Sequence, residues 1–259
     1  MFERVLWDAV EGTMTLGAKD VRLVRRGQEV LDVIVSTGSL VLRTVGNGRA
    51  GEVAAGRFLD NDDVTTEAIL AAAAEHTLAA ARGRRVLAIQ DTTEVNFSGR
   101  AVRRSGLGPA GDGVTPGLFC HPTLLLDIEH AAVLGLTAAE IWTRDPAAPK
   151  AGSTAAKRRP IDDKESGRWL TATQGCQAIR EVAAQVVSVS DREGDIYEHF
   201  AACPPGVDMI VRARHNRATA SGTPLFTSPE TFDLLAVASL TVPPRGPGVV
   251  GHPFCGHQV

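Results

Sequence analysis

Val86-Leu-Ala-Ile-Gln-Asp-Thr-Thr93 decides how this chain reads. A short apolar run of strand length closes on a carboxylate, Asp91, and two hydroxyl residues follow. Buried strands read as continuous apolar runs, so an acid at the end of one sits where the sheet opens to solvent or to a ligand. The same design returns further on. Val186-Val-Ser-Val-Ser-Asp191 is again a β-branched run ending in Asp, and Arg192-Glu-Gly-Asp-Ile-Tyr-Glu-His-Phe200 after it reads as a helix start. Two strands of one sheet would bring Asp91 and Asp191 side by side.

Working outward, residues 3–80 carry a helical pattern. Val21, Val24, Val30 and Leu31 recur at roughly helical spacing with Arg22, Arg25 and Arg26 between them, which predicts an amphipathic helix with a basic flank, bent near Gly27. Residues 37–48 are turn-rich, residues 53–60 form a short helical piece, and Thr65 is placed to cap an alanine-rich helix over 68–81. Beyond the first acid-tipped strand, residues 97–117 are rich in Gly, Arg, Ser and Pro and read as a long loop. Leu118–Ile128 and Ala132–Trp142 then form a hairpin turning at Glu129-His130. A proline-bearing loop follows, then a helix from Asp163 to Val182, the second acid-tipped strand, a short helix to Phe200, and a fifth strand over Asp208–Arg214. Three antiparallel strands extended through a helix by a parallel one is the layout of a ribonuclease-H-like α/β fold, a mixed sheet flanked by helices. The two acids fall where that fold keeps its metal ligands.

Composition sets the outer bounds. With 259 residues and 44% hydrophobic content the chain can bury an ordinary core. The N-terminus lacks a basic segment leading into an apolar one, and nowhere do eighteen apolar residues run together, so the expectation is a cytoplasmic protein with no membrane partner. Cys120, Cys176, Cys203 and Cys255 are too scattered for a zinc ribbon or a redox pair and read as free thiols. A net charge of −3 does not of itself suggest nucleic acid, yet the basic residues come in clumps. These are Arg22/Arg25/Arg26, Arg82/Arg84/Arg85, Arg100/Arg103/Arg104, Lys157/Arg158/Arg159 and Arg212/Arg214/Arg217. Any one clump taken alone reads as a solvated face.

Two solvent-open carboxylates on neighbouring strands are hard-oxygen ligands suited to Mg²⁺ or Mn²⁺. Such ions activate water and stabilise the leaving oxygen of a phosphodiester. The bland alternative is that both are ordinary strand-end residues, Asp191 capping the turn that follows. Nearby, Glu94, Glu193 and Asp195 are acids that could supplement the pair, though Glu193 and Asp195 read more simply as favouring a helix N-terminus. His121 reads as a structural strand histidine and Trp169 as core.

Five consecutive blocks carry a resemblance: Leu87-Ala-Ile-Gln-Asp-Thr-Thr93, Pro122-Thr-Leu-Leu-Leu-Asp127, Asp163-Lys-Glu-Ser-Gly-Arg-Trp-Leu170, Ser190-Asp-Arg-Glu-Gly-Asp-Ile-Tyr197 and Ile210-Val-Arg-Ala-Arg-His215. Leu16-Gly-Ala-Lys-Asp-Val-Arg22 and Gly56-Arg-Phe-Leu-Asp-Asn61 extend it towards the N-terminus. In this order, over residues 14–217, the chain resembles the insertion-sequence-four family of DDE transposases. That resemblance implies a cut-and-paste enzyme of bacterial, nucleoid-associated type that cleaves DNA at transposon ends and joins them to target DNA as a synaptic homodimer. Asp91 and Asp191 would be the first two acids of its catalytic triad, holding Mg²⁺ or Mn²⁺. Residues 1–81 would be a helical domain binding the inverted-repeat ends, 82–217 the catalytic core, and 218–259 the start of a β-rich insertion. Double-stranded DNA would be met by Arg22, Arg25, Arg26, Arg57, Arg100, Arg103, Arg104, Lys157, Arg158, Arg159, Lys164, Arg168, Arg212 and Arg214.

The chain also departs from that family. The family's third acid lies on a late helix in a Tyr-x-x-Arg-x-x-x-Glu-x-x-x-x-x-x-Lys pattern, and the one tyrosine here, Tyr197, begins no such pattern. From Gly246 the text reads as a frame-shifted or truncated tail, in which His252, Cys255 and His257 fit no zinc spacing. Gly56 stands where relatives carry an aromatic residue. The expectation is therefore a protein without strand-cleaving activity of its own, the alternative being a non-catalytic DNA-binding remnant or a dominant-negative partner of an intact transposase.

Overall fold

A computed structural model describes residues 20–97, 106–146, 153–154, 158–220 and 222–227. Among the described residues four helices come first: α1 (Val21–Thr37), α2 (Leu42–Val45), α3 (Arg49–Leu59) and α4 (Thr66–Ala81). Asp20 accepts the Arg22 N–H to start α1, and Gly38, at a φ of 62°, ends it in the left-handed conformation that a residue without Cβ adopts at least cost. The bend expected at Gly27 does not occur. The helix runs unbroken through Gly27, which is buried, and the stop falls eleven residues later, at Gly38. Thr65 caps α4 as expected, its hydroxyl accepting the Ala68 N–H at 3.1 Å.

The sheet is built from β1 (Arg85–Gln90), β2 (Thr93–Asn96), β3 (Gly108–Pro109), β4 (Pro116–Asp127), β5 (Ala132–Trp142), β6 (Gln185–Ser190) and β7 (Asp208–Val211). Helix α5 (Gly167–Arg180) connects β5 to β6, and the short α6 (Tyr197–Ala201) connects β6 to β7. β4 is the long spine, antiparallel to β1, β2, β3 and β5. β6 joins β1 in parallel and β7 joins β6 in parallel. Across the spine the order is β5–β4–β1–β6–β7, a seven-stranded mixed sheet flanked by helices and compatible with a ribonuclease-H-like layout. The sequence pattern does not reveal β2 and β3. Both are short strands in and beside the segment that reads as loop, and their pairing to the near end of β4 is a tertiary contact that local pattern does not encode.

Both long helices of the core lie on one face of the sheet. Along β4 the alternation is strict: Phe119, His121, Thr123, Leu125 and Asp127 are buried, while Cys120, Pro122, Leu124 and Leu126 are half-buried. The buried face of the sheet meets the helices in one apolar cluster, which joins Leu125, Val86, Ala88 and Val186 to Ala81 of α4 and to Cys176 and Ile179 of α5. On the other face, Leu87, Ile89, Leu124, Leu126 and Val189 remain half-buried, and Ile141 and Ile210 are 47% and 57% exposed. No described helix covers that face. α4, read from sequence with the N-terminal helices, packs on β5 and contributes Leu78 and Ala81 to the sheet's core. A smaller cluster of Phe58 and Val64, with Leu23, Val30 and Ile69 against it, ties α1 and α3 to the start of α4.

The chain divides into two compact units, residues 1–212 and 213–259. In the second unit the described residues close a tight turn, with Ala218 bridged to Pro224 and the Leu225 N–H on the Arg217 carbonyl. No described helix is long and apolar enough to cross a membrane.

Asp127, at the far end of β4, ties the hairpin to the start of β1. Its carboxylate accepts from the Arg84 guanidinium and from the Glu129 and His130 N–H groups, and lies 2.9 Å from His130 Nδ1. Burial by itself would raise its pKa, but Arg84, His130 and the two N–H groups outweigh burial and hold the carboxyl well below the usual carboxylate range. A depressed carboxylate stabilises the fold above its unfolded pKa of about 3.9, and that contribution is lost as the pH falls towards the folded value. Asp127→Asn is expected to cost about 2 kcal/mol at pH 7 in urea unfolding, with the gap to wild type narrowing below pH ~4.

Candidate metal site at the strand ends

β1 and β6 set the geometry. Ile89 lies opposite Val189 in parallel register, and both strands end on the next residue, Gln90 and Ser190. Asp91 and Asp191 therefore occupy matching positions two residues beyond a paired set, on strands about 4.8 Å apart. The period of two puts both acids on the side of Ile89 and Val189, the face that no described helix covers. Thr92, one residue on, turns to the opposite side, where its Oγ1 lies 2.9 Å from His121 Nδ1 in the buried row of β4. β7 adds a third position to the row, since Val211 pairs with Ser190 and the Arg212 N–H reaches the Ser190 carbonyl at 3.1 Å. Arg212 thus follows Asp191 across the end of the sheet.

Each acid is held by its own turn. Asp91 Oδ1 accepts the Thr92 N–H at 2.7 Å, and Asp191 Oδ1 accepts the Glu193 N–H at 2.7 Å. The second oxygen of each carboxylate has no hydrogen bond among the described residues. Asp191 does cap a turn, as the blander expectation holds, but the turn is a single 3₁₀ one, residues 192–194, and one carboxylate oxygen suffices. Hard oxygens on two ionised carboxylates fit a divalent Mg²⁺ or Mn²⁺ ion. Among the described residues no cluster of three or more His, Cys, Asp or Glu gathers at any point.

Behind the pair lies a buried polar network. Gln90 Nε2 donates to Thr173 Oγ1 at 2.7 Å and to Ser188 Oγ at 2.8 Å. Thr173 lies 2.6 Å from His199 Nε2, and His199 Nδ1 lies 2.8 Å from the Gly194 carbonyl. That carbonyl can only accept, so Nδ1 carries the proton and Thr173 donates to Nε2. The chain of bonds fastens the turn after Asp191, through its Gly194 carbonyl, to Thr173 of α5 by way of His199 of α6. Gly194 is required there, because a Cβ would come within 2.6 Å of Ser190 Oγ.

Glu193 turns to Arg168 at 2.8 Å, and Asp195 is buried. Glu94 lies exposed on β2. His121 and Trp169 are 2% and 1% exposed and meet edge to face, as core residues do.

The basic positions scatter by element. Arg22, Arg25, Arg26 and Arg57 line one cleft of about 410 Å³ between α1 and α3, so four arginines predicted from two separate stretches share a surface. Arg22 pairs with Asp20 at 3.1 Å, and Arg26 with Glu29 at 2.7 Å. Arg158 and Arg159 are exposed, and Lys164 lines a small cleft beside Asp162 and Arg168. Arg168 is 9% exposed, with its guanidinium committed to protein acceptors rather than turned outward. Arg214 belongs to the second unit. Arg100, Arg103, Arg104 and Lys157, with the tail from residue 228, fall outside the described residues. Sequence pattern gives no hint of the role of Glu193, because it depends on an arginine twenty-five residues earlier. Scanned against protein-family models, the chain matches none.

His121 carries the clearest titration signature of this region. Burial, then the Arg168 and His199 charges, push its pKa down to about 4, against the Asp91 main-chain carbonyl. Burial also lowers that of His199. For a base depressed on folding, stability is intact above the unfolded pKa of about 6.5 and declines as the pH falls towards 4. Urea unfolding between pH 7 and 4 is expected to show this decline, and His121→Gln to flatten it.

Proposed function

We propose that this chain is a DDE-type DNA transposase of the insertion-sequence-four family, resembling in particular the transposon-five transposase, and that its core is ribonuclease-H-like. One observation carries the reading: Asp91 and Asp191 follow the ends of adjacent parallel strands at matching positions, each with one carboxylate oxygen that has no hydrogen bond among the described residues, towards the face that no described helix covers. The ordered sequence blocks support it, since each acid lies inside a block resembling that family. The reaction would be metal-dependent cleavage and strand transfer at phosphodiester bonds. Bound Mg²⁺ or Mn²⁺ would supply an activated water and neutralise charge developing on the leaving oxygen. The chain's own residues then hold and orient: Asp91 and Asp191 as ligands, Arg212 beside them to receive a phosphate, and the α1–α3 arginines to grip duplex DNA through its backbone.

A second reading, a DNA-binding protein without chemistry, rests on the sequence, in which no Tyr-x-x-Arg-x-x-x-Glu pattern supplies the family's third acid. The described residues bring no third acid to the pair. Two carboxylates are enough to hold one ion loosely and too few to position two. We therefore infer that DNA binding and weak metal binding are present, and that strand cleavage by this chain alone is not.

Calorimetric titration with Mn²⁺ is expected to show one weak site, lost in Asp91→Asn and in Asp191→Asn. No Mn²⁺ binding to the wild type would remove the basis of the site. Plasmid nicking with Mn²⁺ is expected to fail, and robust nicking abolished by Asp91→Ala would show the chain to be catalytically complete. In mobility shifts on duplex DNA, Arg25→Gln with Arg26→Gln is expected to weaken binding and lower the log–log salt slope by about 1 for each phosphate no longer neutralised.

A further inference from the structure

Arg168 lies in the first turn of α5, on the covered side of the sheet, and spends its guanidinium on three separate elements. Nε donates to Thr92 Oγ1 at 2.7 Å, Nη1 to the Glu165 carbonyl at 2.6 Å, and Nη2 to Glu193 Oε2 at 2.8 Å. Thr92 and Glu193 are the two residues whose N–H groups hold Asp91 and Asp191, each at 2.7 Å. A single buried side chain thus grips, one step behind each carboxylate, both of the turns that carry the acids. Trp142 and Trp169 wall it in, with ring centres 5.5 Å and 5.4 Å from its Cζ.

We propose that Arg168 is a positioning residue that fixes the spacing and aim of Asp91 and Asp191, a role that rests on the metal-site reading above. The two turns leave separate strands and share no backbone hydrogen bond with each other, so strand pairing alone does not determine how their side chains converge. A guanidinium suits the task because its donors form a rigid planar fork that can bond a hydroxyl, a carbonyl and a carboxylate in different directions at once. A lysine would keep the charge and reach only one turn. Its burial among protein acceptors also separates Arg168 from the phosphate-contacting role that its sequence block suggested. Glu193 gains a corresponding part: a half-exposed acid beside the metal pair that anchors Arg168 instead of serving as a ligand.

Outer residues that orient metal ligands typically contribute ten- to a hundredfold to metal affinity. The test is Mn²⁺ affinity, followed by loss of the free-ion electron paramagnetic resonance signal, together with thermal unfolding of each variant. Arg168→Lys, which conserves charge, and Thr92→Val, which removes the hydroxyl, are each expected to weaken Mn²⁺ binding by about tenfold. Thr92→Ser is expected to restore it. Glu193→Gln, which keeps a hydrogen-bond acceptor for Arg168, and Glu193→Ala are expected to weaken binding while leaving the melting transition cooperative. If the wild type binds Mn²⁺ and Arg168→Lys and Glu193→Ala bind it equally well, the positioning role is wrong while the site stands. Weakening that merely follows a fall in melting temperature, with no rescue by Thr92→Ser, also overturns it. No binding by the wild type ends the metal-site reading and this inference together.

Discussion

Ile89 of β1 faces Val189 of β6 in parallel register, and that pairing carries both aspartates to one end of the sheet. Side chains alternate along a strand, so a slip of one residue would turn one acid to the helix-covered face and leave the other in the open. Two devices resist the slip. Apolar residues of both strands, Val86, Ala88 and Val186, are packed into the common core under α5. Gln90 locks the strands a second time by donating to Ser188 of β6 and Thr173 of α5 from a position with almost no solvent contact. A buried amide nitrogen is costly unless bonded, and the Gln90 NH₂ finds both of its acceptors in this register, which makes the alternatives expensive.

Among the described residues the sheet is covered by helices on one side only. Its covered face holds Leu125, Trp169, Ile179 and the polar network, while the acid-bearing face leaves Ile141 and Ile210 about half exposed. Apolar side chains in that setting leave room for contacts that the described residues do not make. On the proposed reading the aspartate pair would be approached from this surface and steadied from the covered side by Arg168, His199 and Thr173.

Much of this is legible in the chain itself. The strands carrying Asp91 and Asp191, the hairpin Ala132–Trp142, and the Thr65 cap all follow from local pattern, because each depends on periodicity or on a bond spanning three residues. What stays hidden is long-range. β2 and β3 exist by pairing with the near end of β4, and the continuity of α1 through Gly27 depends on burial there. Arg168 reads as one more member of a basic set because its sequence neighbours give no sign that Thr92 and Glu193, seventy-six residues before it and twenty-five after it, close around it. The convergence of Arg22, Arg25, Arg26 and Arg57 on one cleft is equally a matter of packing between α1 and α3. In each case the residue type is visible and its partner is not.

The claim beneath all of this is that two carboxylates from neighbouring parallel strands share one divalent cation. Crystals soaked in Mn²⁺ and measured at a wavelength where manganese scatters anomalously test it directly. The account predicts a single strong peak within coordination distance of both Asp91 and Asp191. A peak on one acid alone, or the two side chains turned to opposite faces of the sheet, would contradict it.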